Sequence, residues 1–249
     1  MKERLDKFLS EAGVCARSDV PYLIRTGRVF VNKKEACSKS QKIDLNIDLI
    51  EVDGKKIEKQ KHIYLMMNKC KNYVCSNKDG VHETVFSLLD SSLRTAYFIE
   101  HLHLVGRLDI DTEGLLLFTT DGALTHKLIS PKSECEKTYF VRLKNKVLES
   151  EQVEYIEKFA SGIFIRAEAN EREHFCKSAK LVWKSFDECE LTISEGKYHQ
   201  VKRMFLSLGN EVVYLKRISI GSLQLDPNLL LGQYRELTQD ELERLIASC

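Results

Sequence analysis

No C-x-x-C pair occurs among the eight cysteines (Cys15, Cys37, Cys70, Cys75, Cys135, Cys176, Cys189 and Cys249), which are scattered along the chain. Structural zinc usually shows clustered Cys or His ligands, so no metal centre is expected. The thiols read as reduced. No apolar run approaches the roughly 18 residues of a membrane span, the best patches being as short as Leu115 to Phe118. The opening MKERLDKFLS lacks an apolar signal-peptide core, which together with the cysteine pattern predicts a cytoplasmic protein. There is no glycine loop of the kind that cradles phosphates, no internal repeat and no low-complexity tract. An excess of one charge is missing too: the formal net charge is +1, so a nucleic-acid partner must be sought in local patches.

Such patches are present. Residues 1–42 carry ten basic side chains against five acidic ones, and the stretch from Gly196 to Arg217 holds five more basic residues against Glu211 alone. With 249 residues, 43% of them hydrophobic, the chain can fill one large domain or a small domain plus a larger one.

Leu5, Phe8, Leu9 and Ala12 fall at helical spacing, with Gly13 where a C-terminal cap is expected, which predicts a helix over residues 4–12. A second helix is predicted between Asp19 as N-cap and Gly27, with Pro21 in its first turn. Val29 and Val31 then alternate with Arg28 and Phe30 before a turn at Asn32, Lys33 and Lys34, a strand entering a hairpin. The charged stretch EVDGKKIEKQKH is the best linker. A boundary near residue 60 gives a domain 1–60 and a domain 61–249.

Beyond the linker, IYLMMN (63–68), YVCS (73–76), LLLFTT (115–120), TYFVRL (138–143) and LTIS (191–194) have the brevity and content of strands. Helices are predicted at 123–129, 153–160 and 199–208, the last two followed by Gly162 and Gly209. Thr238 with Glu241 three residues on forms a capping box for a final helix that buries Leu242, Leu245 and Ile246. Strands and helices mixed without strict alternation predict an α+β domain on a mixed, largely antiparallel sheet flanked by helices.

The chemistry is concentrated in VGRLDIDTEGLLLFTTDG, residues 105–122. Two carboxylates (Asp109, Asp111), Arg107 and Thr112 stand between glycines and lead directly into an apolar strand. Charge beside a core costs free energy unless it is paired or used. A structural ion pair of Arg107 with an aspartate is one account, and a D-x-D metal site is another.

This stretch resembles the signature of the pseudouridine synthases, in the branch that modifies single sites in bacterial ribosomal RNA. The family pattern G-R-L-D, D-T-x-G-L-L and T-x-D-G stands complete between Gly106 and Gly122. A lysine and tyrosine opening a strand follow as Cys135-Glu-Lys-Thr-Tyr139, and an E-G-x-x-H-Q-V-K-R-M-F run stands at 195–205. The N-terminal R-L-D-K-F-L and I-R-T-G-R-V-F-V-N are similar to the S4 RNA-binding domain. The C-E-K-T-Y form looks most like the small-subunit (16S) enzymes. Two departures stand out: Asn68-Lys69 is followed by Cys70, Lys71 and Asn72 where relatives have a proline and a nearby glycine, and Ala16-Arg17 replaces Ser-Arg. Asn can take the left-handed backbone that such a turn needs.

The resemblance implies that Asp109 is the nucleophile, forming a covalent intermediate, with attack at C1′ or C6 left open. It implies Lys202 as the basic partner that favours the ionised carboxylate, and Tyr139 as the ring that packs on a flipped uracil. Arg107 would hold the extruded nucleotide. Ile220 would line the uracil pocket, and His199 and Arg203 would bind substrate. Plainer roles remain for several: phosphate binding for Lys202 and Arg203, and core packing for Tyr139 and Ile220. Arg4, Arg17, Arg25, Arg28 and Lys33 would supply the S4 module's salt-dependent affinity for RNA. The isomerisation is balanced in atoms and electrons, so no cofactor is expected. The expected partner is ribosomal RNA within a small-subunit assembly particle, met by a monomer with no membrane attachment. A non-catalytic RNA-binding or assembly factor of the same fold, or a synthase acting on large-subunit (23S) RNA, are the rival readings.

Overall fold

The computed structural model describes residues 2–58, 62–94, 96–130, 132–169 and 171–249. Backbone packing divides the chain into two units, 1–62 and 63–249. The boundary expected near residue 60 lies outside the described residues.

The N-terminal unit contains β1 (Lys2–Arg4), α1 (Leu5–Glu11), α2 (Val20–Arg25), β2 (Val29–Val31), β3 (Lys34–Glu35), β4 (Lys42–Asp44), β5 (Ile50–Val52) and β6 (Lys55–Lys56). Leu5, Phe8, Leu9, Val20 and Leu23 from the helices bury themselves on Val29, Val31, Ile43 and Ile50. The β2–β3 hairpin turns through Asn32 and Lys33, with φ of 54° and 63°. Two consecutive left-handed residues make the turn whose twist matches a hairpin.

The larger unit is built on one sheet from β7 (Tyr64–Lys69), β8 (His103–Val105), β9 (Glu113–Thr119), β10 (Lys137–Leu143), β13 (Lys180–Trp183), β14 (Glu188–Ile193), β15 (Val212–Ile220), β16 (Leu223–Gln224) and β17 (Tyr234–Glu236). The strand order is β13-β14-β10-β15-β9-β7-β17, with β16 on β15 and β8 on β9. All these pairs are antiparallel except β15 with β9. The expected α+β class and largely antiparallel sheet are what the chain adopts.

β9 is buried along its whole length because both faces are covered. Leu116 and Phe118 enter one cluster with Met67, Val141 and Phe205. Leu115 and Leu117 enter another with Leu128, Leu242 and Leu245. Strand periodicity of two sends alternate residues to opposite layers, so a strand buried on both sides reads as a continuous apolar run. The covering helices are α4 (Gly122–Ile129), α5 (Glu149–Ser161), α6 (Gln200–Ser207) and α7 (Gln239–Ser248), with a short α3 (Ala96–His101) before β8. A two-stranded ribbon, β11 (Phe164–Ile165) with β12 (His174–Phe175), completes the unit.

Two expectations are corrected and one unread strand emerges. YVCS (73–76) forms no strand and makes only an isolated bridge from Val74 to Thr84; its alternation is too brief to claim a sheet edge. The basic stretch up to Arg217 conceals β15, whose Val-Val-Tyr-Leu-Lys-Arg-Ile-Ser-Ile run is β-rich despite its charges. The cysteines are not all thiols: Cys135 and Cys249 are joined, with Cα atoms 4.8 Å apart. Packing of Leu242 and Leu245 brings the end of α7 onto the cluster that contains Cys135, a proximity that sequence spacing does not encode.

Candidate active site

Asp109 stands on a loop that is tied down from beneath. The side chain of Lys69, at the end of β7, is fully buried, and its Nζ donates to the carbonyl oxygens of Cys70 (3.0 Å), Asp109 (3.0 Å), Ile110 (3.3 Å) and Thr112 (2.9 Å). Burial pushes its pKa down, while convergent carbonyl dipoles compensate a cation that has lost its water. The turn after it is closed by Asn72, at φ 70°, whose N–H donates to the carbonyl of Ile110 at 2.9 Å. Asn72 thus supplies the left-handed residue that this turn needs. The Thr112 N–H closes onto the Asp109 carbonyl at 3.1 Å.

The Asp109 carboxylate, about a quarter exposed, faces the Lys202 amine on α6 and the His199 ring just before that helix. Lys202 Nζ is 3.2 Å from its Oδ2 and 2.6 Å from Oδ1 of Asp111. For Asp111, burial pushes the pKa up, but the Lys202 hydrogen bond and charge outweigh it and hold the carboxyl below its usual range. Burial pushes Lys202 down, yet Asp111 and Asp109 raise it on balance. His199, at φ 48° where α6 begins, places Nε2 3.8 Å from Asp109 Oδ1. Its other nitrogen, Nδ1, is 3.0 Å from Glu168, and its ring stacks on Tyr198 at 3.8 Å.

A cavity of about 250 Å³ opens beside this cluster, lined by Arg107, Asp109, Lys137, Tyr139, His199 and Arg217 among others. Leu108, Ile129, Ile193, Val201 and Leu215 form its aliphatic wall. That volume is just under the roughly 300–1,000 Å³ of pockets for drug-sized ligands, a fit for one base rather than an oligonucleotide. Tyr139 is 8% exposed, so its ring is held by the core where it lines the cavity. Arg107 is exposed at the rim.

Two expected site residues are elsewhere. Ile220 is buried with Leu115, Leu223 and Leu242 and is not part of the cavity wall. The register between β10 and β15 skips Ile218, Tyr139 facing Arg217 and Thr138 facing Ser219; this bulge resets the alternation beyond Arg217. Arg203 is 5% exposed and spends its guanidinium on the carbonyls of Tyr198 (2.9 Å), Arg172 (3.2 Å) and Arg166. It clamps the loop between β11 and β12 and cannot also meet a phosphate.

In the N-terminal unit, Arg4 and Arg17 both bind Asp6, and Arg28 makes a two-pronged contact with Asp53. Arg25 lies over the Tyr22 ring at 5.8 Å. Among the described residues no carboxylate is within ion-pair distance of Arg25 or Lys33, so these two carry the least compensated positive charge of the five. Sequence reasoning missed Lys69 and Arg217. The first follows a strand and reads as a surface turn, and the second lies within the unrecognised β15.

A family model described as RNA pseudouridylate synthase matches residues 63–207, and an S4 domain model matches residues 3–46. The chain is 42% identical over 241 residues to the ribosomal small subunit pseudouridine synthase A of Vibrio parahaemolyticus, covering 96% of this chain and 98% of the relative. It is 39% identical to the protein of the same name from Escherichia coli K12, covering 98% of this chain and all of that one. An uncharacterized RNA pseudouridine synthase of Bacillus subtilis is 40% identical, over 97% and 98% of the two chains. A solved pseudouridylate synthase superimposes with a TM-score of 0.66 at 41% identity, covering 97% of this chain and 99% of the other. Among the described residues no helix is long and apolar enough to cross a membrane. Fold, motifs and near full-length relatives agree: the chain belongs to the RNA pseudouridylate synthase family, with an S4 domain at its N-terminus, and is an isomerase acting on ribosomal RNA.

Proposed function

We propose that this enzyme converts one uridine of small-subunit (16S) ribosomal RNA to pseudouridine, using Asp109 as nucleophile. The relatives named for the small subunit support that substrate. The observation that carries the chemistry is the Asp109 carboxylate at the edge of a base-sized cavity, between Lys202 at 3.2 Å and His199 at 3.8 Å. A duplex or stacked uridine cannot present its glycosidic bond to a carboxylate, so the nucleotide must leave the stack at a cost of a few kcal/mol. Packing on Tyr139 returns about 1–3 kcal/mol, and Arg107 at the rim meets the backbone of the extruded nucleotide. His199 orients the site rather than the RNA, through its contacts to Glu168 and Asp109.

The S4 module, residues 1–60, supplies affinity that depends on salt more than on sequence, chiefly through Arg25 and Lys33. We place the enzyme in the cytoplasm as a monomer that meets its uridine in a small-subunit assembly particle. The test is tritium release from ribosomal RNA labelled at uracil C5, together with mapping of pseudouridine in cells that lack the protein. Asp109→Asn should abolish release while RNA affinity stays near normal; turnover by that variant refutes the assignment. Loss of a large-subunit rather than a small-subunit pseudouridine would move the substrate, and binding without release would make the protein an assembly factor.

A further inference from the structure

The cavity beside Asp109 contains more positive charge than the carboxylates account for. Lys202 is taken up by Asp109 and Asp111, and Lys177 binds Glu134 at 2.8 Å. Of four further basic residues on the wall, Arg107 and Lys197 are exposed, whereas Lys137 on β10 and Arg217 on β15 are drawn in, and among the described residues neither of these two has a carboxylate within ion-pair distance. Arg217 is 2% exposed. Its Nε is fixed to the carbonyl of Leu115 at 2.8 Å, where β15 stops pairing with β9 and β8 has not yet begun. Its Nη2 is buried with no hydrogen-bond acceptor among the described residues. Among the described residues Lys137 Nζ makes one hydrogen bond, donating to the Cys135 carbonyl at 2.7 Å. The hydroxyl of Thr112, which also lines the cavity, is likewise buried without a hydrogen-bond partner among the described residues.

Leaving a buried donor unmade costs about 1–3 kcal/mol, more when it is charged. Setting two cations side by side out of water is costlier still. Such an arrangement is stable in function only if an electron-rich group enters it. Burial, and after it the charge of Arg217, push the Lys137 amine down to about 8, the response of a cation that lacks a counter-charge. The Arg217 and Tyr139 backbones are direct partners across the sheet, and Lys137 lies two residues from Tyr139 on the same strand. All three therefore border the place where a base packed on Tyr139 would sit.

We propose that Lys137 and Arg217 bind the carbonyl oxygens of the flipped uracil and stabilise the negative charge that the ring acquires during the reaction. This inference rests on the pseudouridine reading above. When the Asp109 oxygen bonds to C1′, the pair of the C1′–N1 bond departs with the ring and spreads onto O2 and O4. C5 then bonds to C1′, the carboxylate leaves with its own pair, the C5 proton goes to a base, and N1 ends protonated. If Asp109 adds instead to C6, the C5=C6 pair moves onto O4, and the same two cations meet it. Donors fixed in advance toward a developing charge are worth roughly 10²- to 10³-fold in rate.

The experiment compares single-turnover rates of Lys137→Met and Arg217→Met on a ribosomal RNA fragment containing uridine or 5-fluorouridine at the target. Tritium release and covalent-adduct formation are the respective readouts, and thermal melting confirms that each variant folds. Lys137→Met should lose about 100-fold on uridine, with RNA affinity changed by less than about threefold. The loss should shrink at least tenfold on 5-fluorouridine, whose ring carries negative charge more readily. Equal losses on both substrates overturn the proposal. So does a loss confined to RNA affinity with a reduced salt slope, which would make these cations phosphate contacts. Inactivity of the wild-type protein on uridine would instead overturn the parent reading. Should Arg217→Met fail to fold, Lys137→Met and Lys137→Arg decide the matter. The other charged or titratable groups on this cavity are Arg107, Asp109, Tyr139, Lys177, Glu195, Lys197 and His199. kcat/KM should fall as pH rises through about 8, because Lys137 loses its proton there. In Lys137→Arg that limb should disappear, whereas its persistence would assign it to another group.

Discussion

The Lys69 ammonium lies 3.0 Å from the carbonyl oxygen of Asp109, beneath the loop whose side chain faces the cavity. A cation without exposure binds the backbone of the residue proposed as nucleophile, so the position of that carboxylate depends on a side chain that never touches RNA.

Replacing this cation should therefore separate structure from binding. Lys69→Met leaves carbonyls of the 109–112 loop without their donor, at about 1–3 kcal/mol for each that water cannot reach. Misplacing a reacting group by about 1 Å can cost about 100-fold. Turnover should fall by that order with a lower melting temperature, while RNA affinity, measured by filter binding, stays within a few-fold. Full activity in Lys69→Met would show that the loop holds its shape unaided.

Lys202 bridges two carboxylates, which predicts an asymmetry. Lys202→Met should lower single-turnover rate by about 10²- to 10³-fold, because Asp109 loses its cation and gains an unopposed Asp111. Asp111→Asn leaves the Lys202–Asp109 pair intact and should cost less than about tenfold. If Asp111→Asn proves the more damaging, the two aspartates have exchanged roles.

Gly114 tests how closely β9 and β15 approach. It has φ +103°, and a Cβ there would come within 2.2 Å of the Arg217 carbonyl oxygen and 2.8 Å of its nitrogen. Backbone on both sides cannot give way as a side-chain tip can. Gly114→Ala should cost about 3 kcal/mol or more in combined strain and displacement, visible as a steep fall in melting temperature. A change under about 1 kcal/mol would mean that the strands separate freely at this point.

In the N-terminal unit, Asp6 is 2% exposed. The Arg4 hydrogen bond first, and then Arg17, hold its carboxyl well below the usual carboxylate range. A depressed folded pKa adds stability above the unfolded value, near 3.9, and that contribution is lost as pH falls below it. Amide protection factors across residues 2–58, taken relative to the unstructured chain at the same pH, should fall between about pH 4 and pH 2 in the wild type, more steeply than in Asp6→Asn, whose protection should be lower but flatter with pH. Parallel pH profiles would remove Asp6 from the acid response.

Much of the architecture was open to sequence reading because local signals and burial agreed. The Thr238–Glu241 capping box forms as expected, with reciprocal bonds of 3.2 Å and 2.9 Å, and the apolar run from Leu115 is the doubly covered β9. Where charge and strand propensity conflicted, the reading failed. Lys216 and Arg217 disguised β15, and a four-residue alternation at 73–76 was taken for a strand that the sheet never accepts.

The sequence by itself determined the two-unit α+β plan, the motif carrying Asp109, and the residue types from which a covalent RNA chemistry could be built. These depend on periodicity, caps and short-range spacing. Only the tertiary structure decided that Lys69 anchors the loop, that Arg203 clamps backbone instead of substrate, that Ile220 turns into the core, and that Lys137 and Arg217 share a wall. Each of those roles depends on which strands lie side by side and where a bulge shifts their alternation. Charge acquires a role only when burial strips its water and geometry selects its partner.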